Sequence, residues 1–102
     1  MVLLCGPNMG GNEWKYVTGC LDTGWVSSVG AYVDQFEKMT ATFAGTRFAV
    51  ATSSGTTALH IALILAGVQT NDLVITQNIT FVATLNSIKY TGANPVLIDT
   101  ET

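Results

Sequence analysis

Residues 47–67 read Arg47-Phe48-Ala49-Val50-Ala51-Thr52-Ser53-Ser54-Gly55-Thr56-Thr57-Ala58-Leu59-His60-Ile61-Ala62-Leu63-Ile64-Leu65-Ala66-Gly67. Its first five residues are a short apolar run between Gly45 and a cluster of small polar residues, the pattern of a buried strand. From Ala58 to Ala66 apolar residues cover most of a helical circumference, which predicts a buried helix closed by Gly67. Between the two lies Thr52 to Thr57, a polar loop containing Gly55. A strand that feeds a helix through such a loop is a building unit of an α/β fold.

Upstream, Trp14, Val17 and Leu21 share one face of a short helix over Asn12 to Leu21. Val29, Val33, Phe36, Thr40 and Phe43 form the clearest helical stripe, and Gly45 is its stop. Downstream, Asn71-Asp72 makes a turn and Leu73 to Thr76 a second strand. Phe81, Leu85 and Ile88 then supply the i, i+4, i+7 face of another helix, which Gly92 ends. A third strand runs from Pro95 to Ile98, with proline at its first position, where a ladder donor is not required. The order αα-βα-βα-β predicts a partial, mostly parallel sheet flanked by helices on both faces. In such sheets ligands gather beyond the carboxyl ends of the strands, here the loops after Ala51 and after Thr76.

Composition limits the functions open to the chain. Charged residues make up 11% of the 102, against about 25% in ordinary soluble domains, while hydrophobic residues reach 48%. So few charges cannot coat the surface, and the surplus of apolar residues is expected to lie under more polypeptide, either further chain or a partner subunit. No apolar stretch approaches the roughly 20 residues that span a bilayer, so a membrane partner is not expected. The start, Met1 to Gly6, does not read as a secretory signal, and Cys5 and Cys20 lack metal-ligand spacing, so a cytoplasmic location without a metal site is expected. Net charge is −3, and Lys15, Lys38, Arg47 and Lys89 are scattered, which disfavours nucleic acid as a partner.

The loop from Thr52 to Thr57 carries the candidate chemistry. A strand-to-helix turn presents free backbone N–H groups and the positive end of the helix dipole to an anion. Gly55 lets the backbone approach closely, and the Thr56 hydroxyl with the Thr56 and Thr57 amides offers donors for a phosphate. Capping of the helix by Ser54 or Thr56 is the commoner use of such residues, and local pattern alone favours it. Phe81 suits a core anchor or a ring stacked on a planar cofactor about equally. His60, inside the apolar helix without a second ligand, reads as a hydrogen-bonded, partly buried side chain.

Several segments in one order resemble the DegT/StrS group of sugar aminotransferases, which are fold type I enzymes dependent on pyridoxal 5'-phosphate. The segments are Gly10-Gly11-Asn12-Glu13, then Asp22-Thr23-Gly24-Trp25-Val26-Ser27-Ser28-Val29-Gly30, then Ser54-Gly55-Thr56-Thr57-Ala58-Leu59-His60, then Thr80-Phe81-Val82-Ala83-Thr84, and Gly92-Ala93-Asn94-Pro95-Val96. The resemblance implies that residues 1–102 are the N-terminal, incomplete portion of the aminotransferase large domain. It implies that Gly55, Thr56 and Thr57 hold the cofactor phosphate, that Phe81 lies against the pyridine ring, and that Trp25, Ser27 and Ser28 lie near the sugar. The implied reaction moves an amino group from glutamate to the keto carbon of a nucleotide-linked deoxysugar, in a homodimer. The Gly-Gly-Asn-Glu opening and the Trp25 to Gly30 segment resemble members acting on UDP-linked 4-keto-6-deoxy-N-acetylhexosamines.

In the family the lysine of the resting Schiff base comes later than Thr102, and none of Lys15, Lys38 and Lys89 matches it; no catalytic residue is assigned, and these 102 residues alone are expected to be inactive. One branch replaces that lysine by histidine and performs dehydration, which stays open. Asp99 matches a strand-end acid of the family, and Asn71 stands in a turn where relatives commonly have glycine. Two alternatives remain beside the enzyme: an inactive truncated fragment, and a small phosphate-binding α/β module.

Overall fold

A computed structural model describes residues 5–100. They fall into two compact units, Met1–Ala51 and Thr52–Thr102.

In the first unit, helix α1 (Glu13–Thr23) is followed by helix α2 (Ala31–Ala44). The Glu13 carboxylate accepts the Gly11 amide at 2.8 Å and places negative charge in the first turn of α1, where the helix dipole favours it. Gly19, an unfavourable residue inside a helix, stands where Tyr32 crosses: its hydroxyl lies 3.0 Å from the position a Cβ would take. Tyr16 meets the same ring edge to face at 5.1 Å between centroids. Helix α2 ends as its sequence predicts, with Gly45 left-handed (φ 66°) and the Thr46 amide returning to the Ala41 carbonyl.

Arg47 to Ala51 is not a strand. A strand exists only by exchanging hydrogen bonds with a neighbour, and among the described residues none pairs with this run. Its last amide, Ala51 N–H, is held instead by the Glu37 carboxylate of α2 at 2.8 Å. Phe48 and Val50 are left exposed.

In the second unit, α3 (Gly55–Leu65) leads to β1 (Leu73–Gln77), α4 (Val82–Tyr90) and β2 (Asn94–Ile98). The strands pair in parallel, from Leu73 opposite Asn94 to Gln77 opposite Ile98, as the alternation of strand and helix predicts. Helix α4 is the crossover between them and packs on the sheet, while α3 packs on α4. Among the described residues the sheet therefore has two strands, and no described helix of this unit other than α4 packs on it, short of the layer on each face that the sequence predicts. The turn into β1 is made by Asn71 at φ 73°, with its amide on the Gly92 carbonyl at 2.9 Å. A left-handed residue is what such a turn needs, and asparagine tolerates it better than most residues other than glycine.

The core of this unit is small: Ile88 is 2% exposed, Ala93 1% and Ser87 0%. Helix α3, predicted to be buried, has no buried residue; Leu59, Ile61, Ile64 and Leu65 all reach the surface. Its apolar circumference has α4 on one side and no described neighbour on the others. The surplus of uncovered apolar surface that composition predicts is thus present. Among the described residues no helix is long and apolar enough to cross a membrane.

Candidate functional site

The Thr52 to Thr57 loop lies in the second unit and opens α3. Ser54 is the helix cap: in extended conformation, its hydroxyl accepts the Thr57 amide at 3.3 Å and lies 3.1 Å from the Thr57 hydroxyl. Ser53 adds a contact of 3.4 Å to the same hydroxyl, and the Thr52 hydroxyl donates to the Ser54 carbonyl at 3.2 Å. The cap therefore takes up part of the loop's donors. Thr57, which the sequence offers as a direct donor, spends its amide on the cap. Among the described residues the Gly55 and Thr56 amides meet no acceptor, as the first amides of a helix have none within it.

Gly55 is exposed, and a Cβ built there meets nothing within 4 Å. The Gly55 side of the loop is open, and α3 adds the positive end of an 11-residue helix dipole. A phosphate fits such a place: it brings acceptors to two donors without partners, and it needs no basic side chain nearby.

Phe81 departs from its predicted place inside a helix. It is the residue before α4, in extended backbone (φ −70°, ψ 141°), and it is 79% exposed. The apolar face of α4 is instead carried by Ile88, while Phe81 at the cap turns out of the helical register. So exposed a ring contributes little to the core and leaves a flat apolar face for a planar ligand.

The two helix starts lie at the same end of the unit. Thr56 and His60, a turn apart on α3, meet Ser87 and Tyr90 of α4 in rising order, so the helices run side by side in the same direction. The contacts are Ser87 hydroxyl to Thr56 carbonyl at 3.0 Å, His60 Nδ1 to the Ser87 carbonyl at 3.3 Å, and the His60 and Tyr90 rings at 5.8 Å. His60 is thus a half-buried structural side chain, as its sequence setting predicts. Beyond the carboxyl ends of β1 and β2, the Asn78 amide donates to the Ile98 carbonyl, and its side-chain amide donates to Asp99 Oδ1 at 3.1 Å. This pins the loop that leads into Thr80 and Phe81, and the Thr80 and Thr84 hydroxyls, 2.9 Å apart, continue it into α4.

Trp25, Ser27 and Ser28 belong to the first unit, in the exposed connection between α1 and α2. The Trp25 Cβ rests 3.6 Å from the position of a Cβ on Gly30, whose φ of 154° suits glycine alone. Sequence reading missed Ser87 and the Asn78 to Asp99 contact. The only available signal for Ser87 was the run of small residues at Ala83 and Ser87, spaced to let a second helix come close.

Residues 7–102 match the model of the DegT/DnrJ/EryC1/StrS aminotransferase family. The chain belongs to that family. GDP-perosamine synthase of Caulobacter vibrioides is 44% identical over 100 residues, 98% of this chain and 27% of the relative. Among solved structures, a candidate sugar aminotransferase of Streptococcus pneumoniae in its PLP form superposes with a TM-score of 0.85 at 27% identity, covering 98% of this chain and 25% of that one. Bacillus subtilis NtdA with bound PMP gives 0.74 at 37% identity, covering 82% and 19%. The chain therefore spans about a fifth to a quarter of the length of these relatives. Its α/β fold is that of the PLP-dependent aminotransferases, and pyridoxal phosphate is the cofactor of the DegT/DnrJ/EryC1/StrS family.

Proposed function

We propose that residues 1–102 are the N-terminal portion of the large domain of a sugar aminotransferase, and that this portion holds the phosphate and one ring face of its cofactor. The observation that carries the reading is the pair of amides at Gly55 and Thr56, without partners at the start of α3, with the exposed Phe81 ring at the start of the neighbouring helix. Pyridoxal phosphate, when bound, supplies the electron sink for moving the amino group. The residues of this chain bind and orient. The Gly55 and Thr56 amides and the α3 dipole hold the anionic tail, with the Thr56 hydroxyl as a further donor, and Thr57 stiffens the loop through the Ser54 cap. Phe81 covers one face of the ring and keeps water from it, and Trp25, Ser27 and Ser28 border the sugar.

In this reading glutamate donates the amino group to the keto carbon of a nucleotide-linked keto-deoxysugar. The protein works in the cytoplasm as a homodimer, and its uncovered apolar surface supports burial under further chain and a second subunit. Two nucleotide carriers compete. The Gly10 to Glu13 and Trp25 to Gly30 segments favour a UDP-linked 4-keto-6-deoxy-N-acetylhexosamine, and the relative named GDP-perosamine synthase favours a GDP-linked keto sugar. Incubation of the full-length protein with glutamate and either nucleotide sugar tests the reading, with mass spectrometry of the sugar product. An amino sugar from one of them is the expected result; dehydration without amination, or no product from either, contradicts it.

Phe81→Ala tests the stacking role. Loss of one aromatic face costs about 1.4 kcal/mol, so affinity for pyridoxamine phosphate is expected to fall about 10-fold. The amine form of the cofactor is the suitable probe because it makes no covalent bond to a lysine. Thermal stability is expected to stay unchanged, since the ring is already in solvent. An unaltered dissociation constant would remove Phe81 from the site.

A further inference from the structure

We propose that Ser87 is a positioning residue that fixes the distance between the phosphate cradle at Gly55 and Thr56 and the ring of Phe81. The inference rests on the reading just given. Ser87 is 0% exposed, and its hydroxyl oxygen lies within reach of two carbonyls, Ala83 at 2.7 Å and Thr56 at 3.0 Å. A serine inside a helix ordinarily bonds back to its own preceding turn, which is the Ala83 contact. The Thr56 contact is additional, and it leaves the helix to grasp the first turn of α3. The Ser87 carbonyl takes a second hold on α3 through His60 Nδ1 at 3.3 Å. Among the described residues these are the hydrogen bonds that join the two helices.

The consequence follows from where the helices begin. The donors proposed for the phosphate are the first amides of α3, and the proposed ring face stands at the cap of α4. Sliding of one helix along the other would change the span between them. A ligand that carries phosphate and ring in one covalent frame binds well only where that span is fixed, because each end raises the effective concentration of the other. A ligand that has only one of the two ends is indifferent to it. The hydroxyl of Ser87 is buried, and its removal leaves the Thr56 carbonyl without that partner.

The test uses the full-length protein and three probes: pyridoxamine phosphate, pyridoxamine and inorganic phosphate. In Ser87→Ala the affinity for pyridoxamine phosphate is expected to fall about 10-fold, the equivalent of one buried hydrogen bond, while the other two change less than about 2-fold. Ser87→Thr restores the hydroxyl and is expected to recover most of the loss. Equal affinity for pyridoxamine phosphate in Ser87→Ala and wild type would overturn the proposal. So would an equal weakening of all three probes with a lower melting temperature, the mark of a purely structural residue. Should Ser87→Ala not fold, Ser87→Cys, with a weaker donor of similar size, is judged by the same criteria, with a smaller selective loss expected. Gly55→Asp separates the two levels of the argument. If it leaves phosphate binding intact, the cradle itself is wrong; if it abolishes binding and Ser87→Ala has no selective effect, only the positioning role fails.

Discussion

In Gly55→Asp the affinity for pyridoxamine phosphate is expected to fall by about 100-fold with the fold intact. A carboxylate about 5 Å from one phosphate charge, at an effective dielectric near 20, costs about 3 kcal/mol, which corresponds to that factor. The substitution is informative because its structural effect has the opposite sign. Gly55 is the first residue of α3, where a carboxylate is favoured by the helix dipole and glycine is the weaker helix former. A side chain there meets nothing within 4 Å, so no packing is disturbed. Thermal unfolding should therefore occur at the wild-type temperature or slightly above it. Lost affinity in a protein of undiminished stability points to the anion site; retained affinity places the phosphate elsewhere.

Ile88→Ala is expected to have the largest effect on stability. Ile88 lies on the face of α4 that meets β1 and α3, and it is one of only two buried apolar side chains among the described residues, with Ala93. Truncating a buried isoleucine costs about 2–5 kcal/mol, a large share of the 5–15 kcal/mol that holds a typical domain. The loss falls on the contact that keeps α4 on the sheet, so cofactor binding should be lost with it. Denaturant unfolding followed by circular dichroism reads the change. A shift below about 1 kcal/mol, within the range of surface substitutions, would show that other contacts hold α4 in place.

Most helices and both paired strands are legible in the sequence because their signals are local. The stripe ending at Phe43 and Gly45 gives α2 nearly to the residue, since a left-handed glycine stop depends on that residue alone. Pro95 to Ile98 and Leu73 to Thr76 are found within one residue of β2 and β1. Arg47 to Ala51 shows the limit of such reading. Its composition suits a strand, yet pairing is a property of two segments, and no partner stands beside it among the described residues. Burial of α3 fails for the same reason: an apolar circumference states what a helix can tolerate around it, not what is there.

The loop was legible in the sequence, with capping and anion binding as its two candidate uses, and the structure shows the cap. Ser54 caps through the Thr57 amide, and the amides left over are those of Gly55 and Thr56. Phe81 was proposed for the site by resemblance alone, since apolar spacing drew it into the helix, whereas its backbone is extended and the residue is exposed. Ser87 escaped because a single serine in a helix carries no mark of the carbonyl it reaches 31 residues away.

Amide chemical shifts of isotope-labelled protein, followed through a titration with pyridoxamine phosphate, address the cradle most directly. The Gly55 and Thr56 resonances should move furthest among the backbone amides, saturate together with the change at Phe81, and move in the same direction with inorganic phosphate. If pyridoxamine phosphate saturates the protein while those two amides stay in place, the helix start of α3 does not hold the phosphate.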